Sequence, residues 1–203
     1  TRPREGPHGY RGRPSWRRII TQAEGSSVEQ ETPSLQGKTV CITGGARRIG
    51  ACMARRLHAQ GMNLVIHYRR SSDDALALQK ALEARRPNSV RLVGGELLEP
   101  GAPERLAREA VAAFGGLDVL INNASTFYPT PLGGITEAQW DDLMGTNLKA
   151  PLFLSQALAP ALTERGGCII NIVDIHALRP LKDYPVYCAA KAGLWLLTQS
   201  LAR

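Results

Sequence analysis

The sequence predicts an α/β fold built on a doubly wound parallel sheet of the Rossmann type, and three observations carry that prediction. From Lys38 onward, short β-branched runs alternate with helical patterns of about 10–15 residues, as βαβ units require. The first run ends in a glycine-bearing turn, "TGGARRIG" (residues 43–50), which opens a helix. With 203 residues and 43% hydrophobic content, the chain has room for one sizeable core.

The elements follow in order. "KTVCITG" is the first strand, and "RRIGACMARRLHAQG" has apolar residues at helical spacing and stops at Gly61. "NLVIHY" is the second strand. The helix "SSDDALALQKALEARRP" is opened by Ser and Asp and closed before Pro87. "SVRLVGG" is the third strand, and "PERLAREAVAAFGG" a helix that ends on glycines. "LDVLINNA" is the fourth strand. Past a proline-containing loop, helical patterns run from Thr136 to about Arg165, "GCIINIV" forms a fifth strand, and a last helix starts near Asp183. Right-handed crossovers place the first turn at a topological switch point, the usual ligand crevice of such sheets.

Residues 1–36 read as a disordered basic extension, rich in Arg, Pro, Gly and Ser without periodicity, with residues 37–203 as the Rossmann domain. The first twenty residues hold six arginines against one glutamate, which accounts for most of the net charge of +7. The domain itself is near balance, so nucleic acid is not its expected partner. No apolar run approaches the roughly 18–20 residues that span a bilayer. Four scattered cysteines (Cys41, Cys52, Cys168, Cys188) lack metal-ligand spacing and read as reduced thiols of a cytoplasmic protein, with no metal site. The chain starts without Met and stops at "SLAR" inside a helical pattern, which reads as a fragment at both ends.

The turn offers Gly44, Gly50 and the positive end of a helix dipole to a pyrophosphate. An NAD site places a carboxylate at the end of the second strand to accept the ribose hydroxyls. Here the chain reads Tyr68-Arg69-Arg70-Ser71, with no acid. Guanidinium forks match phosphate oxygens, so this end favours NADP over NAD. Tyr187 and Lys191 stand at i, i+4 on one helical face, where an ammonium would lower a phenol's pKa toward that of a working proton donor. Asp174 closes the fifth strand, on the same side of the sheet.

These residues resemble the short-chain dehydrogenases/reductases from about Lys38 to Arg203. The match runs through the glycine turn, Asn122-Asn123-Ala124, Asn147 in "GTNLKAP", and the Tyr187/Lys191 pair. Within that family the chain is most similar to the pteridine reductases, on "TGGARRIG", "HYRRSSDDA", "ARRPNSV", "NNASTFYPTPL" and "NIVDIHALRPL". Most family members carry Ser at the place of Asp174 and Gly at the places of Arg48 and Ser125.

The resemblance implies NADPH-dependent reduction of a pterin or folate. Gly44, Arg48, Ile49, Gly50, Tyr68, Arg69, Arg70, Ser71, Glu96, Leu97, Asn123, Ala124, Ser125 and Lys191 would surround the cofactor. Arg48, Ser125, Phe127, Asp174 and Tyr187 would surround the pterin. Arg48 would reach over the pyrophosphate toward the pterin's polar edge, and Phe127 would stack on its ring. Tyr187 or Asp174 would deliver the proton, Lys191 would hold the ribose, and Asn147 would support Lys191 through a water. Glu96-Leu97 stands where the family's adenine contact, usually Asp, falls. The complete protein is expected to be a homotetramer. The alternatives left open are a carbonyl reductase of ketones or 3-ketoacyl thioesters, and a cofactor-binding fragment without turnover.

Overall fold

Five short runs of β-branched and aliphatic residues form one parallel sheet. The structure is a computed structural model and describes residues 34–202; the expected extension 1–36 lies almost wholly outside these residues. The strands are β1 (Thr39–Ile42), β2 (Asn63–Tyr68), β3 (Val90–Gly94), β4 (Val119–Asn122) and β5 (Cys168–Asn171). The sheet order is β3-β2-β1-β4-β5. The helices are α1 (Arg48–Ala59), α2 (Ser72–Glu83), α3 (Ala102–Phe114), α4 (Glu137–Met144), α5 (Ala150–Arg165) and α6 (Pro185–Leu201). No helix among the described residues is long and apolar enough to cross a membrane.

Alternation along the strands builds two cores. Val40, Ile42, Leu64 and Ile66 face one side and pack with Ala54 of α1 and Ala75, Leu78 and Leu82 of α2. Cys41, Val65 and Leu120 face the other and pack with Leu106 and Ala110 of α3 and Leu154, Leu158 and Leu162 of α5. Residues one apart on a strand point to opposite faces, so a strand covered on both sides must be apolar throughout. β1 is: all four of its residues are buried. β5 is the edge strand of the described sheet, and its Ile170 is 44% exposed.

Two details differ from the expected pattern. The helical stretch Thr136–Arg165 contains a π turn, Gly145–Lys149, between α4 and α5. A capping box starts it: Gln139 N–H donates to Thr136 Oγ1 at 3.2 Å and Thr136 N–H donates to Gln139 Oε1 at 3.0 Å. In the wide turn the Ala150 N–H reaches Gly145 O, five residues back. The Asn147 side-chain amide, inside this turn, donates to the Leu143 carbonyl at 2.9 Å. Second, a 3₁₀ turn, Ile175–Ala177, follows β5, capped by the Asp174 side chain.

Candidate active site

The switch point of the sheet lies between β1 and β4, and the loops at their carboxyl ends form the cleft. The turn after β1 is held rigidly. Thr43 Oγ1 accepts the N–H groups of Asn123 (2.9 Å) and Ala124 (3.0 Å), joining the two strand ends. The Asn123 side-chain amide donates to Thr43 O (2.8 Å) and Gly44 O (3.0 Å). Asn123, expected at the cofactor, therefore spends its amide on the turn itself. Gly44 has φ 60°, a conformation that favours glycine. Gly50 lies where a Cβ would come 2.4 Å from Gly44 O.

The N–H groups of Gly44 and Gly45 already have acceptors: Gly44 N–H donates to His67 Nδ1 at 3.4 Å, and Gly45 N–H donates to His67 O at 2.9 Å. The amides of Arg48, Ile49 and Gly50 open α1 without an acceptor four residues back. These are the groups left for an anion at the helix N-terminus.

Arg48 stands apart from the cleft lining. It enters α1 with φ 47°, in the left-handed region that a Cβ disfavours. Its side chain is exposed, makes no hydrogen bond or ion pair with the described residues, and does not line the cleft. Arg47 lines it instead, with its guanidinium 3.5 Å from the Asp74 carboxylate. Ile49 is 64% exposed.

Beyond the turn, Tyr68, Arg69, Arg70 and Ser71 line one wall of the cleft and Glu96 and Leu97 the next. Arg69 is not idle there. Its Nε pairs with Glu96 Oε2 and its Nη1 lies 3.7 Å from Asp142 Oδ1. Glu96 also accepts the Leu98 N–H at 3.2 Å. Thr146 lines the same cleft with a buried hydroxyl that has no partner among the described residues. Cationic side chains, free helix amides and an unsatisfied hydroxyl suit a phosphorylated nucleotide. The residues present therefore fit a dinucleotide.

The reactive groups gather next to Ser125, at the other end of the cleft lining. Ala124 and Ser125 line it. Ser125 Oγ donates to Asn147 Oδ1 at 2.6 Å. Tyr187 donates its hydroxyl to Asp174 Oδ2 at 2.8 Å, while Asp174 Oδ1 accepts the His176 N–H at 2.9 Å. Lys191 donates to Ile172 O at 3.0 Å. Phe127 lies edge-on to Tyr187, with ring centroids 4.7 Å apart, and stacks on Tyr184 at 4.6 Å. The structure thus brings together Ser125, Phe127, Asn147, Asp174, Tyr187 and Lys191.

The electrostatics reverse one sequence expectation. Tyr187 is not acidified: burial pushes its phenol well above the ordinary value, and donation to the Asp174 carboxylate pushes it further. The Lys191 ammonium sits over the ring, its Nζ 5.8 Å from the Tyr187 ring centroid, and is not among the influences on the phenol. Burial drops the Lys191 ammonium to about 8, against the pull of Asp174. Burial raises the Asp174 carboxyl, but the bonds from His176 N–H and Tyr187 outweigh it, so the group lies below the usual carboxylate range. Asn147, expected to support Lys191, instead bonds Ser125, Thr126 O (3.0 Å) and Leu143 O.

Four participants went unnoticed in the sequence: Arg47, His67, Asp142 and Tyr184. Asp142 accepts from Tyr128 at 3.0 Å as well as facing Arg69, so it ties the aromatic loop to the cationic wall. His67 had a signal, a histidine inside an otherwise apolar strand.

A glycine-turned parallel sheet with a tyrosine and a lysine one helical turn apart, the tyrosine bonded to the residue that follows the last strand, defines a dinucleotide-dependent oxidoreductase. The chain belongs to the short chain dehydrogenase family, whose description matches residues 38–203, and members of that family use nicotinamide cofactors. Among its relatives, pteridine reductase 1 of Leishmania tarentolae is 36% identical over 209 residues, covering 84% of this chain and 72% of that protein. A probable galactose dehydrogenase of Rhizobium meliloti is 34% identical, over 84% of this chain and 66% of its own length. A 3-oxoacyl-[acyl-carrier-protein] reductase of Staphylococcus epidermidis is 32% identical, over 82% of this chain and 68% of that protein. The chain spans between about two thirds and three quarters of these relatives.

Proposed function

We propose that this chain carries the reductase core, residues 37–203, of an NADPH-dependent pterin reductase. Dihydropterins or dihydrofolate would be taken to their tetrahydro forms, and oxidised pterins are substrates of the same chemistry. One observation carries the reading: the Tyr187 hydroxyl is bonded at 2.8 Å to a carboxylate, and an aromatic ring, Phe127, lies against the same tyrosine. Phe127 is 53% exposed, which leaves area for a flat heterocycle. The similarity to a pteridine reductase supports the same substrate class.

NADPH, when bound, supplies the hydride. The chain's residues supply position and the proton. Arg69, Arg70 and Ser71 offer charge-assisted donors to a ribose 2′-phosphate. Tyr187 holds a proton beside the place for the substrate's ring nitrogen, and Asp174 accepts or returns that proton behind it. Burial is the largest influence on Asp174 and raises its pKa. A substrate that excludes more water therefore pushes the carboxyl toward its protonated form. Tyr187 then passes its proton to the ring nitrogen and is refilled from Asp174, which is refilled from solvent.

The second reading, reduction of a ketone or a 3-ketoacyl thioester, draws on the 3-oxoacyl relative. It sits less well with Asp174. Carbonyl reduction gathers negative charge on oxygen, and an ionised carboxylate beside Tyr187 opposes that charge. NADPH oxidation assayed with dihydrobiopterin, dihydrofolate and a 3-ketoacyl thioester separates the two. Turnover of the pterin is expected; turnover of the thioester alone rejects the proposal. A cytoplasmic homotetramer accompanies the pterin reading, as the family resemblance implies.

A further inference from the structure

The machinery described above does not use His67, yet this residue touches both walls of the nucleotide cleft. It is 3% exposed and makes three bonds at once. Its carbonyl accepts Gly45 N–H at 2.9 Å, its Nδ1 accepts Gly44 N–H at 3.4 Å, and its Nε2 lies 3.0 Å from Gly95 O. A carbonyl only accepts and an amide N–H only donates, so one arrangement satisfies both ring bonds. The ring is neutral, with its proton on Nε2 and a lone pair on Nδ1. Burial, which lowers the imidazole below its ordinary range, works in the same direction.

We infer that His67 is a positioning residue for the dinucleotide: its ring Nδ1 holds the Gly44 amide, alongside the Gly45 amide on its own carbonyl, so that the amides opening α1 face the phosphate, while Nε2 on the Gly95 carbonyl anchors the ring. Nδ1 is the group whose loss reaches the cofactor. The inference rests on the reading of this cleft as a nicotinamide dinucleotide site.

Two single substitutions separate the two ring nitrogens. The His67→Asn side chain carries an oxygen near the place of Nδ1 and can keep the Gly44 contact. The His67→Gln side chain carries a donor near the place of Nε2, and keeps only the Gly95 contact. Binding of NADPH and of its adenosine 2′,5′-bisphosphate half, measured by calorimetry, is expected to weaken about tenfold in His67→Gln and less than about threefold in His67→Asn. Thermal unfolding is followed in parallel. Equal affinities in both variants, or equal losses in both, overturn the inference even if both melt early.

Hydrogen exchange on the unsubstituted protein without nucleotide gives a second readout. The Gly44 and Gly45 amides are expected to be protected and those of Arg48 and Ile49 to exchange fast. Fast exchange at all four positions overturns the inference. If the unsubstituted protein binds neither NADPH nor NADH, the cofactor reading falls with it, which is a different result from unequal variants of a binding protein.

Discussion

Replacing Lys191 by methionine is expected to make the protein more stable near neutral pH and less able to turn over. Lys191 is 4% exposed, and its ammonium hydrogen-bonds the Ile172 carbonyl. Burial takes its pKa from 10.5 to about 8. Between those values the unfolded chain still binds a proton that the folded chain has released. Stability rises with pH wherever the unfolded state binds more protons, so the wild-type protein gains stability across this window. Below it, the fold carries the full cost of a buried ammonium.

At about 1.36 kcal/mol per pKa unit the shift is worth up to about 3 kcal/mol, and about 2 kcal/mol once residual solvation is allowed for. Methionine fills similar volume but strands the Ile172 carbonyl, at about 1 kcal/mol. The net expectation is a gain of about 1 kcal/mol near neutrality, turning into a loss of similar size by about pH 10. Denaturant unfolding of both proteins across that range measures the difference directly, and other titrating groups cancel in the subtraction. A difference that stays flat with pH refutes the reasoning, whatever its sign. NADPH turnover by the variant should fall about 10–100-fold in the same preparations, the worth of one charge-assisted bond, since the family resemblance puts Lys191 at the cofactor ribose.

Further outcomes follow from the same geometry. Tyr187→Phe should lower pterin turnover about 10²–10⁴-fold with the Kd for NADPH unchanged, and a rate within tenfold of wild type, by steady-state kinetics, would remove Tyr187 from the proton path. It should also let the Asp174 pKa rise, because the Tyr187 bond is one of the influences that lower it. Gly50→Ala forces a Cβ to 2.4 Å from Gly44 O and 2.8 Å from Gly45 Cα, both backbone atoms that cannot swing aside. Overpacking of this kind costs about 1–3 kcal/mol, visible in the unfolding midpoint, and cofactor binding should fall in parallel. Arg69→Gln should weaken NADPH about 10–100-fold, the worth of one or two charge-assisted bonds, while leaving NADH nearly unchanged. Equal losses for the two cofactors would show that Arg69 serves Glu96 and Asp142 rather than a 2′-phosphate.

What could be read from the sequence was what short-range pattern controls. β2 falls on Asn63–Tyr68, the apolar run "NLVIHY", because strand ends there are set by the glycine before and the charged pair after. The nearness of Asp174 to Tyr187 was legible because strand end and helix start meet at the same edge of the sheet. What failed was side-chain direction. The i, i+4 spacing puts Tyr187 and Lys191 on one face, but it does not say that the ammonium goes to Ile172 O or that the phenol goes to a carboxylate. Arg69 looked free because its partners, Glu96 and Asp142, come from distant segments that only the fold brings near. Arg48 was assigned by its place in a motif, whereas its backbone angle and exposure depend on how the turn closes.

The wide turn at Gly145–Lys149 has a consequence for how this family member can change. Each residue advances a helix by about 100°, so the extra one acts as a phase shifter between the two rods it joins. It lets α4 aim Leu143 at the base of α6 while α5 aims Leu154 and Leu158 at the opposite core. A one-residue deletion there would rotate one rod against the other and carry Asn147 off Ser125. Length in this segment is therefore under tighter constraint than composition: substitutions at its outward positions should pass where any insertion or deletion would not.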